Sequence, residues 1–169
     1  KNVLEASKPD FDFIAACNFS FFIFKERKIL IDYFKAAKKS LRKDGILILE
    51  AAGGPGMIES IKERKVFKKD GKREFTYVWD QKSFDPVNNR GQYAIHFRLA
   101  SGKVLEDAFE YDWRLWSIPE LKDALLDAGF KSAEVYWESS HRDEGTGEYY
   151  RAQEGDNAYS WIAYIVGLS

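Results

Sequence analysis

The sequence predicts an α/β fold, a doubly wound sheet that carries an inserted three-stranded antiparallel meander. Three observations predict it. Two apolar runs without helical period, residues 11–17 (FDFIAAC) and 46–52 (ILILEAA), flank a segment with helical period. Aromatic and polar residues then alternate strictly over three runs in the middle of the chain. A capped helix follows and leads into two more strand-like runs, residues 133–137 (AEVYW) and 161–166 (WIAYIV).

Each element has a local reason. Residues 11–17 and 46–52 are apolar on both alternations, as strands buried on both faces must be. Between them, residues 24–43 place Leu30, Phe34, Ala37 and Leu41 on one stripe, with Tyr33 beside it and charges elsewhere. Basic residues crowd the last turns, where the helix dipole favours them, and Gly45 offers the left-handed stop. Strand, helix and strand with short joins make a parallel βαβ unit. Gly53-Gly54-Pro55-Gly56 reads as a turn, residues 57–64 as a short helix, and residues 65–73 as solvated basic chain.

In the meander, Phe75, Tyr77 and Trp79, then Tyr93, Ile95 and Phe97, then Phe109, Tyr111 and Trp113 occupy odd positions. One face is therefore aromatic and the other polar and solvated, its His96, Arg98, Glu110, Asp112 and Arg114 forming cross-strand ion pairs. For odd to oppose odd, the second connection needs an odd loop or a bulge; Ala100-Ser101-Gly102 fits a three-residue loop. Ser117 and Glu120 form a capping box, and Gly129 ends that helix. Residues 139–157 read as a long polar loop, with His141, Glu144, Tyr149, Tyr150 and Arg151 available for contacts.

Composition narrows the function classes. The chain has 169 residues, 45% hydrophobic and 31% charged, which suits one domain with a real core. Net charge is −1, split as +6 over residues 1–74 and −7 over the rest, so a nucleic-acid partner is not expected. One cysteine and two histidines argue against a disulfide framework and a metal cluster. No run is long enough to span a bilayer and no signal peptide is visible, so a cytoplasmic location is expected. The chain opens on Lys1 and enters a strand almost at once.

Three segments in order carry a family likeness. They are Asp12 to Ser20 (DFIAACNFS), Tyr33-Phe34 followed by Leu41 to Glu50 (LRKDGILILE), and Arg114 to Leu121 (RLWSIPEL) followed by Ala128-Gly129-Phe130. Together they resemble the C-terminal two-thirds of a class I S-adenosylmethionine-dependent methyltransferase. The resemblance implies a partial Rossmann-like sheet, with residues 1–56 and 115–169 as core and 65–114 as an inserted cap. It implies methyl transfer from S-adenosylmethionine to a small-molecule acceptor. It also implies that the glycine-rich cofactor loop of the family lies outside this chain, which would leave the edge near residues 11–17 open. A fragment inactive on its own, a non-catalytic interaction module and half of a split domain all fit that departure, and oligomer formation stays open.

The resemblance and the strand ends nominate the candidate residues. Cys17, Asn18 and Phe19 stand at the carboxyl end of a strand, where ligands collect, and are expected to hold the cofactor. Asn18 serves there or simply closes an Asx-turn, and Cys17 reads as a structural thiol rather than a nucleophile. Glu50, Tyr77 and Arg114 are the candidate substrate contacts, against the alternatives that Glu50 is a structural hydrogen-bond acceptor and Tyr77 core packing. Arg114 would pair an anionic group of the acceptor. His96 is the candidate general base, where one is needed.

Overall fold

The structure, a computed structural model, describes residues 2–6, 8–141 and 144–169. It forms two compact units, Lys1–Gly54 with Trp116–Ser169, and Pro55–Leu115.

The first unit is built on a mixed five-stranded sheet of order β1-β2-β9-β7-β8. Strands β1 (Phe11–Ala16) and β2 (Leu41–Gly53) are parallel, joined by a 3-10 turn at Ser20–Ile23 and helix α1 (Arg27–Ser40). This is the expected βαβ unit, with two corrections. The helix is shorter at both ends, and the left-handed residue after it is Asp44 (φ 62) rather than Gly45. Gly45 is needed for space instead, since a Cβ there would stand 3.0 Å from the Arg42 carbonyl oxygen and 3.1 Å from that of Asp12. Strand β1 is also not buried on both faces. Among the described residues it lies at the sheet edge with β2 as its one neighbour, and Phe11 and Phe13 remain 48% and 63% exposed.

Helix α2 (Ile118–Asp127) packs beside α1 on the same face of the sheet. Its capping box forms as expected: the Ser117 hydroxyl accepts from the Glu120 N–H, and the Glu120 carboxylate accepts from the Ser117 N–H at 2.9 Å. Gly129 ends it at φ +94. Leu30, Phe34, Leu121 and Leu125 of the helices and Leu47, Leu49, Ala51, Ala163 and Ile165 of the sheet are fully buried. Each large side chain there contributes about 1.5–3 kcal/mol of burial.

Residues 139–157 are largely not a loop. Strands β7 (Ser132–His141) and β8 (Glu144–Ala152) make a hairpin across most of that span, and β9 (Trp161–Leu168) pairs antiparallel with both β7 and β2. The side chains of His141 and Glu144 lie outside the described residues.

The second unit is a four-stranded antiparallel sheet of order β3-β4-β5-β6. Strands β4 (Lys72–Asp85), β5 (Arg90–Leu99) and β6 (Val104–Arg114) are the expected meander, and β3 (Lys62–Lys69) adds a fourth strand. The helix expected over residues 57–64 is only a 3-10 turn at Pro55–Met57. Leu99 donates to the Lys103 carbonyl at 2.9 Å and Gly102 adopts φ +88, so residues 100–102 form the expected three-residue loop. Odd opposes odd, with Tyr93 beside Tyr111 and Ile95 beside Phe109, and a bulge at Asp107 (φ 47) brings Leu105 beside Phe97. The even-numbered face is not the solvated surface expected from its polarity. Thr76, Val78, Asp80, Ala94 and His96 are all buried.

Candidate functional site

The carboxyl ends of the parallel strands gather the polar groups of the first unit. Strand β1 runs into Cys17, Asn18 and Phe19, and both Asn18 (φ 53) and Phe19 (φ 54) take the left-handed conformation. Asparagine tolerates it; a bulky aromatic there is strained, of order 1–3 kcal/mol. The tight reversal is held from outside, because the Asn18 N–H donates to the Glu50 carboxylate of β2. Cys17 is exposed beside it.

Glu50 projects from the sheet face opposite the helices. On that face it opposes Tyr164 of β9, which opposes Tyr136 of β7, while Glu138 of β7 opposes Tyr149 of β8. The Tyr149 and Tyr164 rings lie 4.6 Å apart. Burial pushes the Tyr149 phenol up to about 12, aided by Glu138, Tyr164 and Glu50. Burial likewise raises that of Tyr164, aided by Glu50. Both phenols are therefore neutral donors at physiological pH between two carboxylates. Such a face repels anions and suits a cationic or hydrogen-bonding small molecule.

A cleft of about 590 Å³ adjoins this group at the same end of the sheet. Glu138, Trp137, Asp156, Asn157, Tyr159 and Trp161 line it. Trp137 and Trp161 are 5.2 Å apart, and Gly53 is required beneath them, since a Cβ there would meet the Trp161 ring at 2.2 Å. Sequence pattern alone does not single out Glu138 and Tyr164. The available signal was a polar-tipped residue on the alternate face of each otherwise apolar strand.

The remaining candidates belong to the second unit. His96 is buried on β5 with both ring nitrogens engaged. Its Nδ1 accepts from the Asp107 N–H at 2.8 Å and lies 3.0 Å from the Glu106 carboxylate, and its Nε2 lies 3.2 Å from the Asp80 carboxylate. Burial opposes ionisation of Asp80, but Lys62 at 2.8 Å and His96 outweigh it and hold the carboxyl below its usual range. An acid whose native pKa is depressed stabilises the fold above its unfolded value and stops doing so as pH falls through the native one. Chemical denaturation below about pH 4 should therefore cost the wild type stability that the Asp80→Asn variant has already lost. Tyr77 is half-buried among aromatic rings, and Arg114 ends β6, also half-buried.

Known structures share this fold. An S-adenosylmethionine-dependent methyltransferase from Clostridium acetobutylicum matches with TM-score 0.64 and 17% identity, over 100% of this chain and 63% of that one. The sugar N-methyltransferase KedS8 from Streptoalloteichus matches with TM-score 0.65 and 15% identity, over 99% of this chain and 60% of that one. CalS10, an amino pentose methyltransferase from Micromonospora echinaspora, matches with TM-score 0.63 and 14% identity, over 97% of this chain and 62% of that one. The chain thus spans less than two-thirds of the length of the structures it matches. No protein-family model matches it, and the comparison with curated proteins found no match. Among the described residues no helix is long and apolar enough to cross a membrane.

Proposed function

We propose that this chain forms the greater part of an S-adenosylmethionine-dependent methyltransferase whose acceptor is a small-molecule amine. The observation that carries the reading is the Asn18–Glu50 tether at the carboxyl ends of the only parallel strand pair among the described residues. That is where ligands of doubly wound sheets bind, and the fold is one used by methyltransferases.

The residues present fit one flank of the cofactor. Cys17, Asn18 and Phe19 form a tight turn whose backbone, fixed by Glu50, would line the donor side. S-adenosylmethionine, when bound, supplies a methyl group on a positively charged sulfur. The side chains of this chain have the complementary work. Glu50 and Glu138 favour a positively charged or developing-cation partner, and the Tyr149 and Tyr164 hydroxyls orient it. An in-line displacement needs alignment and exclusion of water more than a strong base. His96, with both nitrogens engaged, has no part in this step.

Calorimetry with S-adenosylhomocysteine, the demethylated product, tests this on the protein that carries this sequence. Glu50→Gln weakens the tether by removing its charge, worth about 1.5 kcal/mol or more, and should weaken binding roughly tenfold. Absence of binding to the wild type at millimolar ligand would overturn the reading in favour of a non-catalytic module.

A further inference from the structure

The first unit holds a second cavity, of about 330 Å³, between α2 and β7. The proposed methyl transfer makes no use of it. Its volume lies at the small end of the range for small-molecule sites. Two turns of α2 form one wall, with Ile118 and Pro119 in the first and Lys122 and Asp123 directly beyond them at i+4. Val135 and Trp137, alternate residues on one face of β7, form another. Glu154, after β8, closes the rim. The Trp137 ring is held in place: it lies 5.2 Å from Trp161, and a Cβ on Gly155 would meet it at 2.9 Å. It cannot swing in to fill the space.

The charges at this cavity serve no contact of the fold. Charged residues on a helix surface pair with opposite charges three or four positions away. Lys122 has only Ile118, Pro119, Leu125 and Leu126 at those positions, and Asp123 has Pro119, Glu120, Leu126 and Asp127, none of them a cation. Among the described residues, Lys122, Asp123 and Glu154 have no ion-pair or hydrogen-bond partner. One ammonium and two carboxylates therefore flank an apolar recess with their donors and acceptors open. A ligand that meets every wall brings a carboxylate to Lys122, an ammonium to Asp123 and Glu154, and an apolar group to Val135 and Trp137. A plain amine leaves Lys122 without an anion, and a plain carboxylic acid faces two carboxylates.

We propose that the cavity between α2 and β7 binds a free α-amino acid with an apolar side chain, its carboxylate on Lys122 and its ammonium on Asp123 and Glu154.

Calorimetry of the whole chain with L-phenylalanine tests it. L-Phenylalaninamide lacks the carboxylate and N-acetyl-L-phenylalanine lacks the ammonium. Each loses a charge-assisted bond and should bind about tenfold more weakly, or worse. Glycine, with no side chain for the apolar end, should also bind about tenfold more weakly. Lys122→Met should abolish the preference for phenylalanine over its amide. Asp123→Asn with Glu154→Gln should abolish the preference over the N-acetyl derivative. Lys122→Gln serves if Lys122→Met fails to show a native circular dichroism spectrum. Glu50→Gln should leave phenylalanine binding unchanged. That control separates this cavity from any site that takes the amino-acid end of S-adenosylmethionine, so the proposal fails or stands apart from the methyl-transfer reading. Absence of phenylalanine binding at millimolar concentration, equal binding of the amide or the N-acetyl derivative, cavity variants that keep the wild-type preferences, or loss of binding in Glu50→Gln would each overturn it.

Discussion

Trp116→Ala should cost about 3–5 kcal/mol, among the largest effects of any single truncation in this chain. The indole is only 2% exposed, and its N–H donates to the Phe24 carbonyl at 3.0 Å. That bond joins the segment entering α2 to the segment entering α1, residues far apart in sequence. Truncation opens a cavity and also strands a carbonyl that no alanine can reach, so the transfer and hydrogen-bond losses combine. At about 2–4 °C per kcal/mol for a chain of this size, the melting temperature should fall by roughly 10 °C or more. Leu126→Ala is the control. Leu126 lies on α2 but is 48% exposed, and its loss should be several-fold smaller.

Gly54→Ala should be nearly as damaging, for a different reason. Gly54 sits at φ +96, and a Cβ there would stand 2.5 Å from the Tyr159 carbonyl oxygen and 2.9 Å from that of Ala158. Backbone oxygens cannot swing aside as a flexible side chain can. Left-handed strain of about 1–2 kcal/mol adds to an overpacking cost of about 1–3 kcal/mol. Gly102→Ala separates the two, because Gly102 has φ +88 but open space around its Cβ position. Denaturant midpoints should show a small loss for Gly102→Ala and a much larger one for Gly54→Ala. Tryptophan emission should shift as well, since displacing Tyr159 disturbs the wall that also holds Trp161.

Those two positions also mark what the sequence discloses and what it withholds. Local chemistry is legible: the Ser117–Glu120 box, the three-residue loop ending at Gly102 and the parallel pair around α1 all follow from patterns a few residues long. Strand β3 is not legible, because Lys62–Lys69 is exposed on both faces and shows no alternation; its strand state comes from pairing with β4. The β7–β8 hairpin is hidden in the same way by Gly145, Thr146 and Gly147, which look like loop. Burial of Asp80 and His96 depends on ion pairing to Lys62 and the bulge at Asp107, which no spacing rule reveals. In the candidate site Asn18 and Glu50 are found from strand ends, whereas Glu138 and Tyr164 enter only through the register that sets β9 between β2 and β7.

That register has a kinetic side. Strand β9 comes later in the chain than both its sheet neighbours, with Ile46 reaching as far as Leu168 for its partner. During synthesis from the amino end, β2 and β7 emerge with one side each unpaired and wait for the strand that joins them. Closing so distant a pair is slow by loop entropy, and the waiting edges are the hazard of such a topology. The nascent first unit is therefore two half-sheets in search of a keystone. A chaperone that shields apolar edges would act in the interval before residues 161–168 arrive.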